Sequence, residues 1–147
     1  MKYDDADWHY TEDFPEEYAG VHIALYLKWC FLKGWAGNTH LEEWPEDVKD
    51  LITGNLSATQ FLCKNCDNML TSEDLNEEGN LFTRNYYESC FLDDFSENFG
   101  NFIYTAPEKD FDFKKFTAMC DSKLYTGELK KTTRRRKIPW WKFWKKK

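Results

Sequence analysis

The 147-residue chain lacks most of the features that make a protein's chemistry easy to name. No apolar run approaches the ~20 residues that cross a bilayer, and mean hydropathy is −0.77, so no spanning helix is expected. The opening MKYDDADW is acidic and carries no apolar h-region. It reads as a chain without a secretory signal, whose expected place of action is the cytoplasm. GxSxG, P-loop, GxGxxG and HExxH motifs are all absent. The carboxylates are spread widely, with no pair set apart as acid and base, so the expected protein is not an enzyme and uses no cofactor. There is no internal repeat, and no alternating segment is long enough to build a sheet.

Cysteine is scarce and odd in number: Cys30, Cys63, Cys66, Cys90 and Cys120. In a reducing compartment that pattern reads as free, mostly buried thiols rather than a disulfide framework. Cys63-Lys64-Asn65-Cys66 has CxxC spacing, but no second pair completes a zinc site. The motif also falls within a helical pattern instead of at the helix start a redox pair uses. Core packing is the expected role.

What is present is aromatic and unevenly charged. Phe, Trp and Tyr make up 18% of residues, so a few large rings should carry much of the burial. Residues 1–127 hold 10 Lys/Arg against 25 Asp/Glu, a net −15, whereas residues 128–147 hold 10 Lys/Arg against one Glu, a net +9. The expected organisation is an acidic globular domain over 1–127 and a basic, aromatic tail over 128–147.

Hydrophobic spacing makes the domain mainly α, a compact bundle of about five helices with an irregular N-terminal arm and at most a short strand or hairpin. Ala19, His22, Ile23, Tyr26, Leu27, Cys30 and Phe31 recur with a period near 3.6, which predicts a helix over about 16–33, covered on more than one side. Pro45 starts a second helix and Ser57 caps a third, with Ala58, Phe61, Leu62, Cys66 and Met69 on its apolar stripe. Thr71 and Asp74 have capping-box spacing. Leu75, Gly79, Phe82, Tyr86 and Cys90 then keep helical spacing, continued by Phe91, Phe95 and Phe99. NFIYTAP is the best strand candidate, and a last helix follows from about Asp110.

Candidate sites lie at the two ends. The arm, KYDDADWHYTEDFP, is predicted to be an aromatic clasp folded over the first helix, with Trp8, His9 and His22 as structural members. A metal triad of His9, His22 and Asp5 or Asp7 is conceivable, but arm packing explains the same residues without an ion, so no metal is expected. Asp4, Asp5, Asp7, Glu12 and Asp13 are then left facing solvent, available to a cationic partner. In the tail, Arg134, Arg135 and Arg136 precede Trp140, Trp141, Phe143 and Trp144. Three readings stand: contact with an anionic membrane, single-stranded nucleic acid, which is the less favoured, or a disordered end folding back on the acidic body.

The stretch KYDDADWHYTEDFPEEYAGVHIALYLKW resembles the opening of a family of small, functionally uncharacterised bacterial proteins, with K-Y-D-D-A-x-W-H-Y, then F-P, then A-x-x-H-I-x-x-Y/F-L-x-W. LTSEDLNEEGNLFTRNYY echoes a later helical segment of the same family, and the likeness covers roughly residues 2–125. The family often has Gly-Gly after the tyrosine, where this chain has Thr11 and Glu12, and the tail has no counterpart in it. The resemblance implies an immunity protein of a bacterial toxin system, of type VI or contact-dependent secretion, which binds a cognate toxin or effector in the cytoplasm. A peripheral membrane or nucleic-acid adaptor working through the tail, at the inner membrane, is the alternative.

Overall fold

A computed structural model describes residues 1–124; the Arg and Trp/Phe positions of the tail lie outside the described residues. The first element is not a loose arm but strand β1, Lys2–Asp5, followed by a single 3-10 turn at Ala6–Trp8. A second 3-10 turn, Glu16–Gly20, leads into helix α1, Val21–Leu32. Every residue of α1 from Val21 to Leu27 is buried, as are Trp29, Cys30 and Phe31. A helix without a polar face has to sit in the middle of a fold. Here three helices, Pro45–Thr53, Ala58–Cys66 and Phe113–Leu124, and a strand, Met69–Thr71, pack around it.

Helix α2 spans Asn38–Glu43, and α3 follows over Pro45–Thr53, started by its proline and closed by Gly54 at φ +89°. Helix α4, Ala58–Cys66, has a full capping box between Ser57 and Gln60. The expected stripe runs on to Met69, but the helix stops at Cys66. Asp67 and Asn68 both adopt left-handed backbone, φ +52° and +61°, which short polar side chains tolerate and which ends an α-helix. Met69 therefore lies in strand β2, Met69–Thr71, antiparallel to β1 with Asp4 opposite Leu70 and a bulge between Lys2 and Asp4.

Thr71 and Asp74 form their capping box on a short 3-10 turn, and Asn76 caps helix α5, Glu77–Tyr86. The chain continues through a π turn, Tyr87–Phe91, into α6, Leu92–Phe99. The extra residue of a π turn rotates the helix face. Tyr86, Tyr87 and Phe91 all turn inward, and Cys90, expected in the core, is exposed. NFIYTAP is not a strand: it is a 3-10 turn and bends, and Tyr104 at φ +72° breaks any extended run. Helix α7, Phe113–Leu124, closes the described chain.

The result, among the described residues, is a mainly α domain with one two-stranded sheet, centred on a continuous aromatic core. Trp29, Trp35 and Phe82 meet on one side of α1, and Tyr26, Tyr87, Phe91 and Phe116 on another. Each fully buried ring contributes about 2–3 kcal/mol through loss of apolar surface to water. Backbone approach is close where Gly37 lies against Glu73 and Asp74: a side chain there would overlap the Glu73 carbonyl. That contact lets the Gly37 amide donate to the Asp74 carbonyl, at 2.9 Å. No helix among the described residues is long and apolar enough to cross a membrane.

Candidate functional site

The centre of the N-terminal region is Asp4. Pairing of β1 with β2 points its side chain inward, and its residue is 3% exposed. The carboxylate accepts four hydrogen bonds. At Oδ1 they come from His9 Nε2 (2.7 Å) and the Asp5 backbone amide (2.8 Å), and at Oδ2 from His22 Nε2 (2.9 Å) and the Tyr87 hydroxyl (2.6 Å). Four donors fill the acceptor capacity of one carboxylate. Each partner has its own origin: His9 follows the first 3-10 turn, His22 sits in the first turn of α1, and Tyr87 opens the π turn. Three separate segments are thus tied to one charge.

Electrostatics fixes the protonation. Burial pushes the Asp4 carboxyl up, but hydrogen bonds from His22, His9 and Tyr87 outweigh it and hold the group well below the usual carboxylate range. Burial lowers His22, and the attraction of Asp4 only partly offsets it. Tyr87 is raised well above the ordinary phenol value, by burial first and then by the neighbouring carboxylate. An ionised Asp4 accepts only, so both imidazoles donate through Nε2. His22 Nδ1 is then a bare, buried acceptor with no partner among the described residues.

One aromatic ring packs on both imidazoles. Tyr104 stacks on His9 with centroids 4.5 Å apart and planes within 7°, and meets His22 edge-on at 5.1 Å. Its left-handed backbone is unusual for an aromatic residue and is held by this packing.

The expectations for the arm are met in part. His9 and His22 do come together, with ring centroids 4.9 Å apart, but through Asp4 rather than Asp5 or Asp7. Asp4 and Asp5 are not solvent-facing. Asp4 is the buried hub, and Asp5, 8% exposed, pairs with Lys2 at 2.9 Å and caps the following turn through the Asp7 amide. Register sets Asp4 inward opposite Leu70, whereas Asp5, on the other side of the strand, is covered by Lys2 and the turn that follows it. Asp7, Glu12 and Asp13 are exposed as expected. Trp8 is not part of a clasp: it is 60% exposed, with the Lys2 ammonium 5.7 Å from its ring. Tyr10 and Phe14 are also exposed, at 46% and 39%. Residues 7–17 thus form an acidic and aromatic surface segment anchored at one end by His9.

A second buried cluster had no counterpart in the sequence reading. His40 Nε2 lies 2.8 Å from Asp74 Oδ1 and 3.8 Å from Cys66 Sγ. Asp74 Oδ2 accepts from the Thr71 amide and hydroxyl at 2.8 and 3.1 Å. All three side chains are buried. Burial, then the charge of Asp74, pushes the Cys66 thiol far up, which keeps it protonated and a poor nucleophile. Both sulfur and carboxylate face the same imidazole nitrogen, so this is not the relay of a Cys-His-Asp triad, in which the two nitrogens of the ring serve different partners. Cys63, the other half of the CxxC, is exposed, and both thiols are free. The signal for this cluster was the Thr71–Asp74 capping box, whose carboxylate has a second oxygen to satisfy.

The comparisons place the chain in a family without assigning an activity. A family model described as a domain of unknown function, DUF7832, matches residues 2–107. The chain belongs to that family, and the match takes in all members of both buried clusters. Neither the curated proteins nor the solved structures contain a match to the chain.

Proposed function

We propose that the protein is an immunity protein, which binds a cognate bacterial toxin or effector in the cytoplasm and neutralises it by occupying its surface. The observation that carries this reading is the segment 7–17. Trp8, Tyr10 and Phe14 stand in solvent among Asp7, Glu12, Asp13, Glu16 and Glu17. Large exposed rings are the side chains that dominate protein interfaces, and a rim of one charge sign speeds encounter with an oppositely charged partner. The segment is also tied at its base by the hydrogen bond of His9 to the buried Asp4, which limits the ordering entropy lost on docking. A net −15 over residues 1–127 suits a basic effector.

The test is co-expression of the full chain with the product of the neighbouring gene. Rescue from toxicity and a stable complex in pull-down are expected. Trp8→Ala with Phe14→Ala should weaken that complex by roughly 100-fold or more if the two rings are anchors. Removing residues 128–147 should leave neutralisation intact. Toxicity undiminished by the wild-type chain, or rescue lost only with the tail, would overturn the reading.

A further inference from the structure

We propose that Asp4, His9 and His22 form a binding site for one divalent transition-metal ion of the zinc class. Two imidazole nitrogens and one carboxylate are brought together from three chain segments, with ligand atoms all within 4.8 Å of one another. Imidazole with carboxylate is a donor set that suits zinc and its neighbours, and two nitrogens with one oxygen leave a coordination position open.

The parts divide into fixed and movable ligands. Asp4 is fixed by strand pairing and by two further bonds, from Tyr87 and the Asp5 amide, which orient its carboxylate as outer-shell donors do. His22 is fixed by α1 and fully buried. His9 lies on an irregular segment and is only partly buried, so it provides both the movement and the entry path. The need for movement follows from distance. The two Nε2 atoms lie 2.7 and 2.9 Å from Asp4 oxygens, whereas ligands around a tetrahedral zinc with ~2.0–2.1 Å bonds stand about 3.3 Å apart. Withdrawal of His9 by about half an ångström opens its own contact, and the 2.9 Å His22–Asp4 contact has to lengthen by a few tenths of an ångström as well. Tyr104 stacks on the His9 ring, so His9 and Tyr104 shift together.

Binding reassigns two protons. Each Nε2–H now donated to Asp4 gives way to a metal bond, and the imidazole proton moves to Nδ1. The His9 side chain is only partly buried. For His22 that nitrogen is buried without a partner among the described residues, so the outer shell is incomplete, a defect that costs roughly 10–100-fold in affinity. Micromolar rather than tighter binding is therefore expected. The His40–Cys66–Asp74 cluster is the internal control. It too has three donor types close together, but every member is buried and its thiol is held protonated, which leaves no movable ligand at the surface.

The site does not depend on what segment 7–17 binds, and its test uses metal alone. Full-length protein is stripped with chelator and titrated with Co(II), then with Zn(II). The expected result is one Co(II) per chain, visible as d–d absorption and displaced by zinc. Affinity should fall by ~100-fold or more in His9→Ala and be unchanged in Cys66→Ser. In the unaltered protein, the imidazole 15N signals of His9 and His22 should shift with zinc while those of His40 stay. The inference is overturned by absence of stoichiometric binding, by binding indifferent to His9→Ala, or by zinc shifts confined to His40. Should His9→Ala fail to fold, the imidazole signals of the wild-type chain decide alone.

Discussion

The two buried clusters use one plan with opposite exposure. In each, a carboxylate taken out of water is satisfied by imidazole Nε2 and by backbone or hydroxyl donors: Asp4 by His9, His22, Tyr87 and the Asp5 amide, Asp74 by His40 and Thr71. Each also joins segments far apart in sequence, β1 to the π turn in the first case and α2 to the turn after β2 in the second. The difference lies at the edge. The second cluster is sealed, with His40 among Phe31, Trp44 and Phe61. The first ends in His9, which leads directly into the exposed segment 7–17. A sealed, satisfied network rigidifies the fold. In the first cluster the His9 side chain is 16% exposed, so its bond to Asp4 ties the surface segment to the core.

The largest test of that difference is loss of each carboxylate. Asp4→Ala leaves two imidazoles and a phenol with nothing to donate to, and should cost about 3–5 kcal/mol of stability. Asp74→Ala removes one imidazole bond and a capping box, and should cost about 2 kcal/mol. Urea unfolding of the two variants decides the order. If Asp74→Ala proved the more damaging, Asp4 would not be the principal hub.

Those two carboxylates also mark how far the sequence could be read. The period of α1, the proline start of α3 and the Ser57 cap are local signals, and each produced its element where spacing predicts it. His9 and His22 were placed together because His22 falls on the inner stripe of a helix. Which aspartate they meet was not legible. It depends on the register of β1 against a strand some 65 residues away, and register across such a gap is set by tertiary packing. Single-residue backbone choices were equally hidden: the left-handed Asp67 and Asn68 that cut α4 short, Tyr104 that dissolves the expected strand, and the π turn that brings Tyr87 inward. His40 carries no signal of its burial, because α2, only six residues long, has no period to display.

Acid should weaken the first cluster by a smaller amount. His22 is held below its ordinary value and Asp4 well below its own, so in both cases the unfolded chain takes up the proton first. Their contribution is present above the unfolded pKa, and it falls as pH drops, from about 6.5 for His22 and from about 4 for Asp4. In chelator-treated protein the urea midpoint should therefore decline from pH 7 to pH 5, and His22→Asn should flatten that slope. A midpoint that held steady or rose on acidification would contradict a neutral, buried His22.

The smallest effect on stability is expected where the effect on binding is largest. Trp8 and Phe14 lie beyond the anchored base of the arm and are 60% and 39% exposed, so their truncation removes little buried surface. Trp8→Ala and Phe14→Ala should each shift stability by no more than about 0.5 kcal/mol, measured by the same urea titrations. A loss of several times that size would mean that these rings hold the fold, as His9 does, and that the surface segment is an extension of the buried cluster instead of the part left free for a partner.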